Sequence, residues 1–243
     1  IGKFYCSDNY ISHSNTSKGL VNRLYHCIRK ITLKQKLRLI KNSTRLSTGS
    51  VLDIGAGTGS FASFLQRAGW RLTGLEPDEN ARTIARDSNN ITLLPAGHLF
   101  QFPDESFDAI TLWHVLEHVH TLHPYMEQLK KLLKPNGRLF IAVPNYSSYD
   151  AQWYNKYWAA YDVPRHLYHF SPRAMRALLA QHDMNLVTIK PMWFDSIYVS
   201  VLSEKYKTGK GNFLRACWTG FVSNTKALLH TERCSSLIYV ISR

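Results

Sequence analysis

Three glycines at alternate positions, Gly55, Gly57 and Gly59, follow the apolar run Val51-Leu52-Asp53-Ile54 and lead into a helix-forming stretch. Glycine reaches positive φ and lets a ligand come close to the backbone. Amides at a helix start can bind a carboxylate or phosphate. The spacing is G-x-G-x-G and not the dinucleotide pattern G-x-G-x-x-G, and no phosphate-loop lysine follows. Asp53 at the strand end suits a ligand carrying an ammonium group better than one carrying a pyrophosphate. Glu76 closes the next apolar run, at the offset of about twenty residues where an acid can accept both hydroxyl protons of a ribose. A tight strand–helix turn without a ligand is the alternative for the glycines alone, and Glu76 at that offset argues against it.

Two further groups could do acid–base chemistry. His114, Glu117 and His118 follow the apolar run Phe107–Leu112. On a helix His114 and His118 would share a face and could bind a metal with Glu117 nearby. Capping and packing by Glu117 and His118 is the alternative, and no metal site is assigned. The second group is Asp162, Arg165, His166 and His169, in an aromatic-rich stretch. His166 or His169 there could serve as a general base, and Arg165, beside Asp162, could bind a substrate carboxylate or phosphate. The same residues could instead form a polar network that fixes the loop.

The elements that must position these groups alternate. Ser50–Ile54, Trp70–Leu75, Ile91–Leu94, Phe107–Leu112 and Gly137–Val143 read as strands. Helices are expected over Ser60–Ala68, Asp78–Asp87, His114–His118 and Pro124–Leu133. Alternation of this kind implies βαβ units and a parallel sheet covered on both faces. Ser171-Pro172 reads as a helix start, with the helix running to about Gln181. Asn185–Met192 is a sixth strand, and Ser236–Ser242 suits a last strand paired antiparallel with it. Residues 17–41 have apolar residues at helical spacing with bases between them. The expected organisation is therefore an N-terminal basic helical extension over 1–49 and one domain over 50–243. That domain carries an insertion or lid at about 146–170 and a helical region at 196–231.

The net charge of +13 is unevenly placed. Residues 1–50 hold ten bases and one acid, 51–190 thirteen of each, and 191–243 seven bases and three acids. The basic excess outside the centre reads either as a solvated face or as attraction to an anionic partner. Cys6, Cys27, Cys217 and Cys234 are far apart, which opposes a structural zinc site and suits reduced thiols of a cytoplasmic protein. No apolar run is long enough for a spanning helix.

The chain resembles the class I S-adenosylmethionine-dependent methyltransferases. Val51–Gly59 is similar to their first motif and Gly74-Leu75-Glu76-Pro77 to their ribose-binding strand end. Phe102–Asp108 with Leu112–Val119 resembles their fourth-strand region, and Leu133–Leu139 their turn into strand five. The nearest likeness is to the bacterial small-molecule type that includes ubiquinone-biosynthesis O-methyltransferases, which Asp162–Ser171 also resembles. The resemblance implies an α/β, Rossmann-like seven-stranded sheet in the order 3-2-1-4-5-7-6, with strand 7 antiparallel. It implies S-adenosylmethionine as cofactor and S-adenosylhomocysteine as product. Cofactor contacts are implied at Gly55, Ala56, Gly57, Gly59, Glu76 and Pro77, with Asp53 near the methionine amine. His98, Leu99, Trp113 and His114 would complete that set. Many relatives have an acid after the third strand that binds adenine, whereas this chain has Leu94-Pro95-Ala96-Gly97-His98-Leu99. The implied reaction is methyl transfer to an O or N acceptor on a small molecule, anionic or not, or on a lipid or cell-surface precursor. His166, His169 and His118 are the catalytic candidates, and Asp162 and Arg165 the substrate-binding ones. A nucleic-acid methyltransferase is the alternative, opposed by Leu112-Trp113-His114-Val115 where an N-P-P-[YF]-type tetrapeptide would stand. A non-catalytic cofactor-binding scaffold is another.

Overall fold

The computed structural model describes residues 20–243, with side chains from Ile28 onward. The start of the basic extension, Cys6 and the Cys27 side chain lie outside that range. Six strands form one mixed sheet in the order β2-β1-β3-β4-β6-β5. Two compact units make up the chain, one of residues up to Thr111 with Lys131–Arg138, the other of Leu112–Lys130 with Leu139–Arg243.

In the first unit, β1 (Ser50–Ile54) pairs parallel with β2 (Arg71–Leu75), Val51 opposite Leu72. Both strands are short β-branched and leucine runs. Val51 and Leu52 are fully buried, as are Leu65 of α2 (Ser60–Arg67) and Ala85 of α3 (Glu79–Asn89). Each such large aliphatic contributes about 1.5–3 kcal/mol by leaving water. The Asp78 side chain caps α3 by accepting the Asn80 N–H, and Asn90 ends it in the left-handed region at φ 53°. The basic helix α1 (Leu20–Thr44) buries Ile40, sets Lys36 over the Phe61 ring and bonds Ser60 through Arg29. β3 (Phe107–Trp113) begins in this unit, where Asp108 accepts from the Ser50 N–H and from Lys134.

The expected third strand, Ile91–Leu94, is not a full strand. Only Leu94 bridges to Leu75, through Leu94 N–H to Gly74 O and Glu76 N–H to Leu94 O. The left-handed Asn90 lies just before it, and Pro95 just after has no N–H to continue a ladder. Ile91 and Leu93 instead pack with Ala62 and Ala85. Among the described residues the sheet therefore has six strands and not seven, while the order and the antiparallel last strand stand as expected.

In the second unit, β4 (Leu133–Pro144) pairs antiparallel with β6 (Ser236–Ser242), which pairs antiparallel with β5 (Asn185–Pro191). β6 is buried at six successive positions, as a strand covered on both faces must be. α6 (Pro172–Gln181) starts as read, with the Ser171 hydroxyl accepting the Ala174 N–H and proline at the first helical position. The helical region resolves into α7 (Asp195–Thr208) and α8 (Phe213–Leu229). The aromatic insertion is more ordered than a loop. It holds α5 (Tyr149–Tyr154) and two single turns, Asn155–Tyr157 and Ala159–Tyr161. Tyr154 and Trp158 are core residues and not lid surface. The buried Asp150 carboxylate accepts from Trp158 Nε1 and from the hydroxyls of Ser223 and Ser235.

Candidate active site

The glycine loop is held by its own hydrogen bonds. The Gly55 and Ala56 N–H groups both donate to Leu75 O, Gly59 N–H donates to Ala56 O, and Gly57 N–H donates to Glu76 Oε2 at 2.8 Å. Four loop amides thus have partners within the chain. What the loop offers a ligand is closeness. Gly57 has φ +55°, and a Cβ built there would meet nothing within 4 Å, so the backbone borders open space. Gly59, at φ +75°, has a different reason to be glycine: a Cβ would lie 2.9 Å from the Ala85 Cβ, so it packs α2 against α3.

Glu76 is buried, and its carboxylate accepts Gly57 N–H on one oxygen and Asp78 N–H on the other. Two backbone donors thus orient the carboxylate. Pro77 is exposed beside it, its carbonyl held by Arg82. Asp53 is buried and accepts the Thr111 hydroxyl at 2.6 Å. Burial raises its pKa to about 6, against the lowering effects of that hydrogen bond and of Lys36, while Glu76 adds to the rise. An acid so placed gains from a cation that replaces its lost water. Beyond Leu94, His98 bonds Pro95 O through both its backbone N–H and Nδ1, and Leu99 is fully buried.

In the second unit, the segment after β3 does not form the helix that would set His114 and His118 on one face. His114 has φ 58°, its N–H bonds Ala142 O, and only Leu116–His118 makes a single 3-10 turn. His114 instead lies between two acids, Nδ1 3.4 Å from Glu117 Oε1 and Nε2 3.1 Å from Asp195 Oδ2. Burial lowers its pKa, but the two carboxylates outweigh burial and bring it to about 10. The ring is therefore an imidazolium at neutral pH and a donor, not a base. Asp195 is far away in sequence, at the first turn of α7, and nothing in the sequence pointed to it.

His118 is joined by His166. Their rings meet edge to face at 4.6 Å, and Glu117 is the third member. One ligand atom from each of the three lies within 4.8 Å of the others, a donor set that could hold a divalent ion. Glu117 is 1% exposed, and neither carboxylate oxygen has a hydrogen bond. His118 Nδ1 faces Arg165 O at 3.0 Å, and His166 Nδ1 faces Ala160 O at 2.8 Å. A carbonyl there accepts a hydrogen bond from Nδ1–H, which fixes the tautomer and leaves Nε2 as the basic nitrogen. Burial lowers the His166 pKa most, with His118 adding to that and Glu117 opposing it. His169 does not join the group. It is exposed and places Nε2 2.9 Å from Tyr161 O. Asp162 and Arg165 bind one another, through Nε at 3.1 Å and Nη2 at 2.5 Å on one carboxylate oxygen.

Residues 28–189 match the family described as a methyltransferase domain. The chain belongs to the class I S-adenosylmethionine-dependent methyltransferases. Among curated methyltransferases, it is 36% identical over 95 residues to the demethylmenaquinone methyltransferase of Tropheryma whipplei (strain Twist), covering 37% of this chain and 40% of that one. It is 31% identical over 123 residues to the ubiquinone biosynthesis O-methyltransferase of Hydrogenovibrio crunogenus, covering 47% and 51%. The chain thus aligns with about half or less of these relatives. A SAM-dependent methyltransferase from Archaeoglobus fulgidus superposes with TM-score 0.60 at 16% identity, covering 88% of this chain and 94% of that one. The 1,6-didemethyltoxoflavin-N1-methyltransferase of Burkholderia thailandensis, solved with S-adenosylhomocysteine, gives 0.53 at 16%, covering 90% and 83%. At such identities the likeness is one of fold. Within this methyltransferase domain, the glycine loop, Asp53 and Glu76 were legible from spacing. Thr111 and Asp195 were not, because each meets its partner only through the sheet and the α7 turn.

Proposed function

We propose that the chain binds S-adenosylmethionine at the glycine loop and transfers its methyl group to an oxygen or nitrogen of a small molecule or a lipid or cell-surface precursor. The bound cofactor supplies an activated sulfonium methyl. The observation that carries the reading is the Glu76 carboxylate tied to Gly57 N–H beside open space at the Gly57 α-carbon. Glu76 accepts ribose hydroxyls, Asp53 faces the ammonium, and Gly57 admits the ligand to the backbone. His98 is the side chain available to adenine in place of an acid. In the second unit His166, or His118 beside it, takes the acceptor's proton at Nε2, with Glu117 stabilising the imidazolium that results. The depressed pKa of His166 favours the neutral ring a base must have. Orientation of acceptor and methyl supplies about 7–11 kcal/mol of the barrier reduction in such transfers, so the base is an addition to positioning. The names of the curated relatives, quinone-pathway methyltransferases, favour a small-molecule acceptor over nucleic acid.

Calorimetric titration with S-adenosylmethionine, S-adenosylhomocysteine and NAD tests this. Binding of the first two and not the third is expected, abolished in Gly57→Arg and weakened in Glu76→Ala. Absence of binding to either sulfur ligand in the folded wild-type chain overturns the reading.

A further inference from the structure

The α7–α8 hairpin carries its large apolar side chains outward. The buried positions of α8 are Ala216, Thr219, Gly220, Ser223 and Ala227, all small. A Cβ on Gly220 would sit 2.8 Å from Ile197 Cγ1 and 2.9 Å from its Cα, so the two helix backbones are close. Outside stand Phe213, Leu214, Trp218, Phe221, Leu228 and Leu229, each 61% to 81% exposed. Leu214, Trp218, Phe221 and Leu228 are spaced by four, three and seven residues, which sets them along one face. α7 repeats the inversion: Ser196, Ser200, Ser203 and Glu204 are buried, while Ile197, Tyr198 and Tyr206 are exposed. A helix of a water-soluble core has the opposite order, and single exposed apolar residues are ordinary where a row of this size is not.

The charge of the same segment identifies the partner. The hairpin contains Lys205, Lys207, Lys210, Arg215 and Lys226 against Asp195 and Glu204. Arg215 lies 3.4 Å from Glu204 and Lys226 sits over the Tyr149 ring, while Lys205, Lys207 and Lys210 are exposed at the turn between the helices. Tryptophan, phenylalanine and leucine on one face with lysine and arginine around them is the make-up of a helix that lies in a lipid interface. No helix among the described residues is long and apolar enough to cross a membrane. A second copy of the chain on this face would set three exposed lysines against three. An anionic headgroup layer complements them instead.

We propose that the α7–α8 hairpin docks flat on an anionic lipid bilayer, with Leu214, Trp218, Phe221 and Leu228 at the acyl boundary and Lys205, Lys207 and Lys210 at the phosphates. This goes beyond methyl transfer, and binding requires neither cofactor nor turnover. The test is co-sedimentation of the full chain with vesicles of phosphatidylcholine and phosphatidylglycerol, against vesicles of phosphatidylcholine alone. Sedimentation velocity and circular dichroism run alongside. The wild-type chain is expected to bind the anionic vesicles and to lose binding in high salt. Leu214→Ser/Trp218→Ser/Phe221→Ser and Lys205→Glu/Lys207→Glu/Lys210→Glu are each expected to bind at least about tenfold more weakly with unchanged circular dichroism. No wild-type binding to anionic vesicles overturns the proposal. So does a triple serine variant that binds like wild type, because bases elsewhere then hold the chain. A wild-type dimer that the triple serine variant abolishes also overturns it, with a second copy as the occupant.

Discussion

Asp53 and the histidines show how environment sets the role of a residue. Asp53 is an acid whose folded pKa of about 6 lies above its usual 3.8. Between those values the native state holds more protons than the unfolded chain, so stability falls as pH rises through that window. Above it, the ionised group costs about 3 kcal/mol. Asp53→Asn keeps an acceptor for the Thr111 hydroxyl and removes the charge. It should be more stable than wild type at pH 7.5 by up to this amount and equal to it at pH 4, as read by urea unfolding. An unchanged midpoint at pH 7.5 would show that the carboxylate is not penalised. The same linkage predicts tighter binding of an ammonium-bearing ligand at pH 7 than at pH 5. His114 and His166 should separate in a histidine NMR titration. His114 should stay protonated to about pH 9, held by Glu117 and Asp195, and His166 should be neutral at pH 6.5 with its proton on Nδ1. A His166→Gln variant should lower kcat about 10²–10⁴-fold on an accepted substrate and leave cofactor affinity unchanged.

At the scale of the element, glycine positions decide how closely helices approach. Gly59 brings α2 against α3 at Ala85, and Gly220 brings α8 against α7 at Ile197. Adding an isopropyl group at Gly220 forces Ile197 aside, so Gly220→Val should cost about 1–3 kcal/mol in denaturant unfolding. An unchanged stability would mean that the hairpin adjusts freely. The 3-10 turn at Leu116–His118 matters in the same way. It turns His118 towards His166 and leaves His114 to Asp195, where a regular helix would have aligned His114 and His118.

For the whole molecule, a ligand that binds only the folded state adds stability by mass action. S-adenosylhomocysteine at one hundred times its Kd should add about 2.7 kcal/mol, a rise of about 5–11 °C in Tm for a chain of this size. Glu76→Ala should lose most of that shift in differential scanning fluorimetry. An equal shift in wild type and variant would place the ligand elsewhere.

Local patterns determined a good part of this protein. The strand–glycine–helix sequence at Val51–Ser60, the cap at Ser171-Pro172, the apolar run of β6 and the acid at Glu76 were legible because each depends on residues a few positions apart. Alternation of strands and helices implied a parallel sheet, and the family resemblance implied its strand order. What only the tertiary structure decided depends on residues distant in the chain. Leu94 makes one bridge where a strand was expected, because Asn90 and Pro95 bound it and Ile91 and Leu93 find better packing on α3. The loop amides turn inward because Leu75 O and Glu76 are within reach of them. Thr111 meets Asp53, Asp195 meets His114, and His166 meets His118 and Glu117 across long sequence separations. Burial, together with those meetings, sets the pKa values, and with them which of these groups can accept a proton.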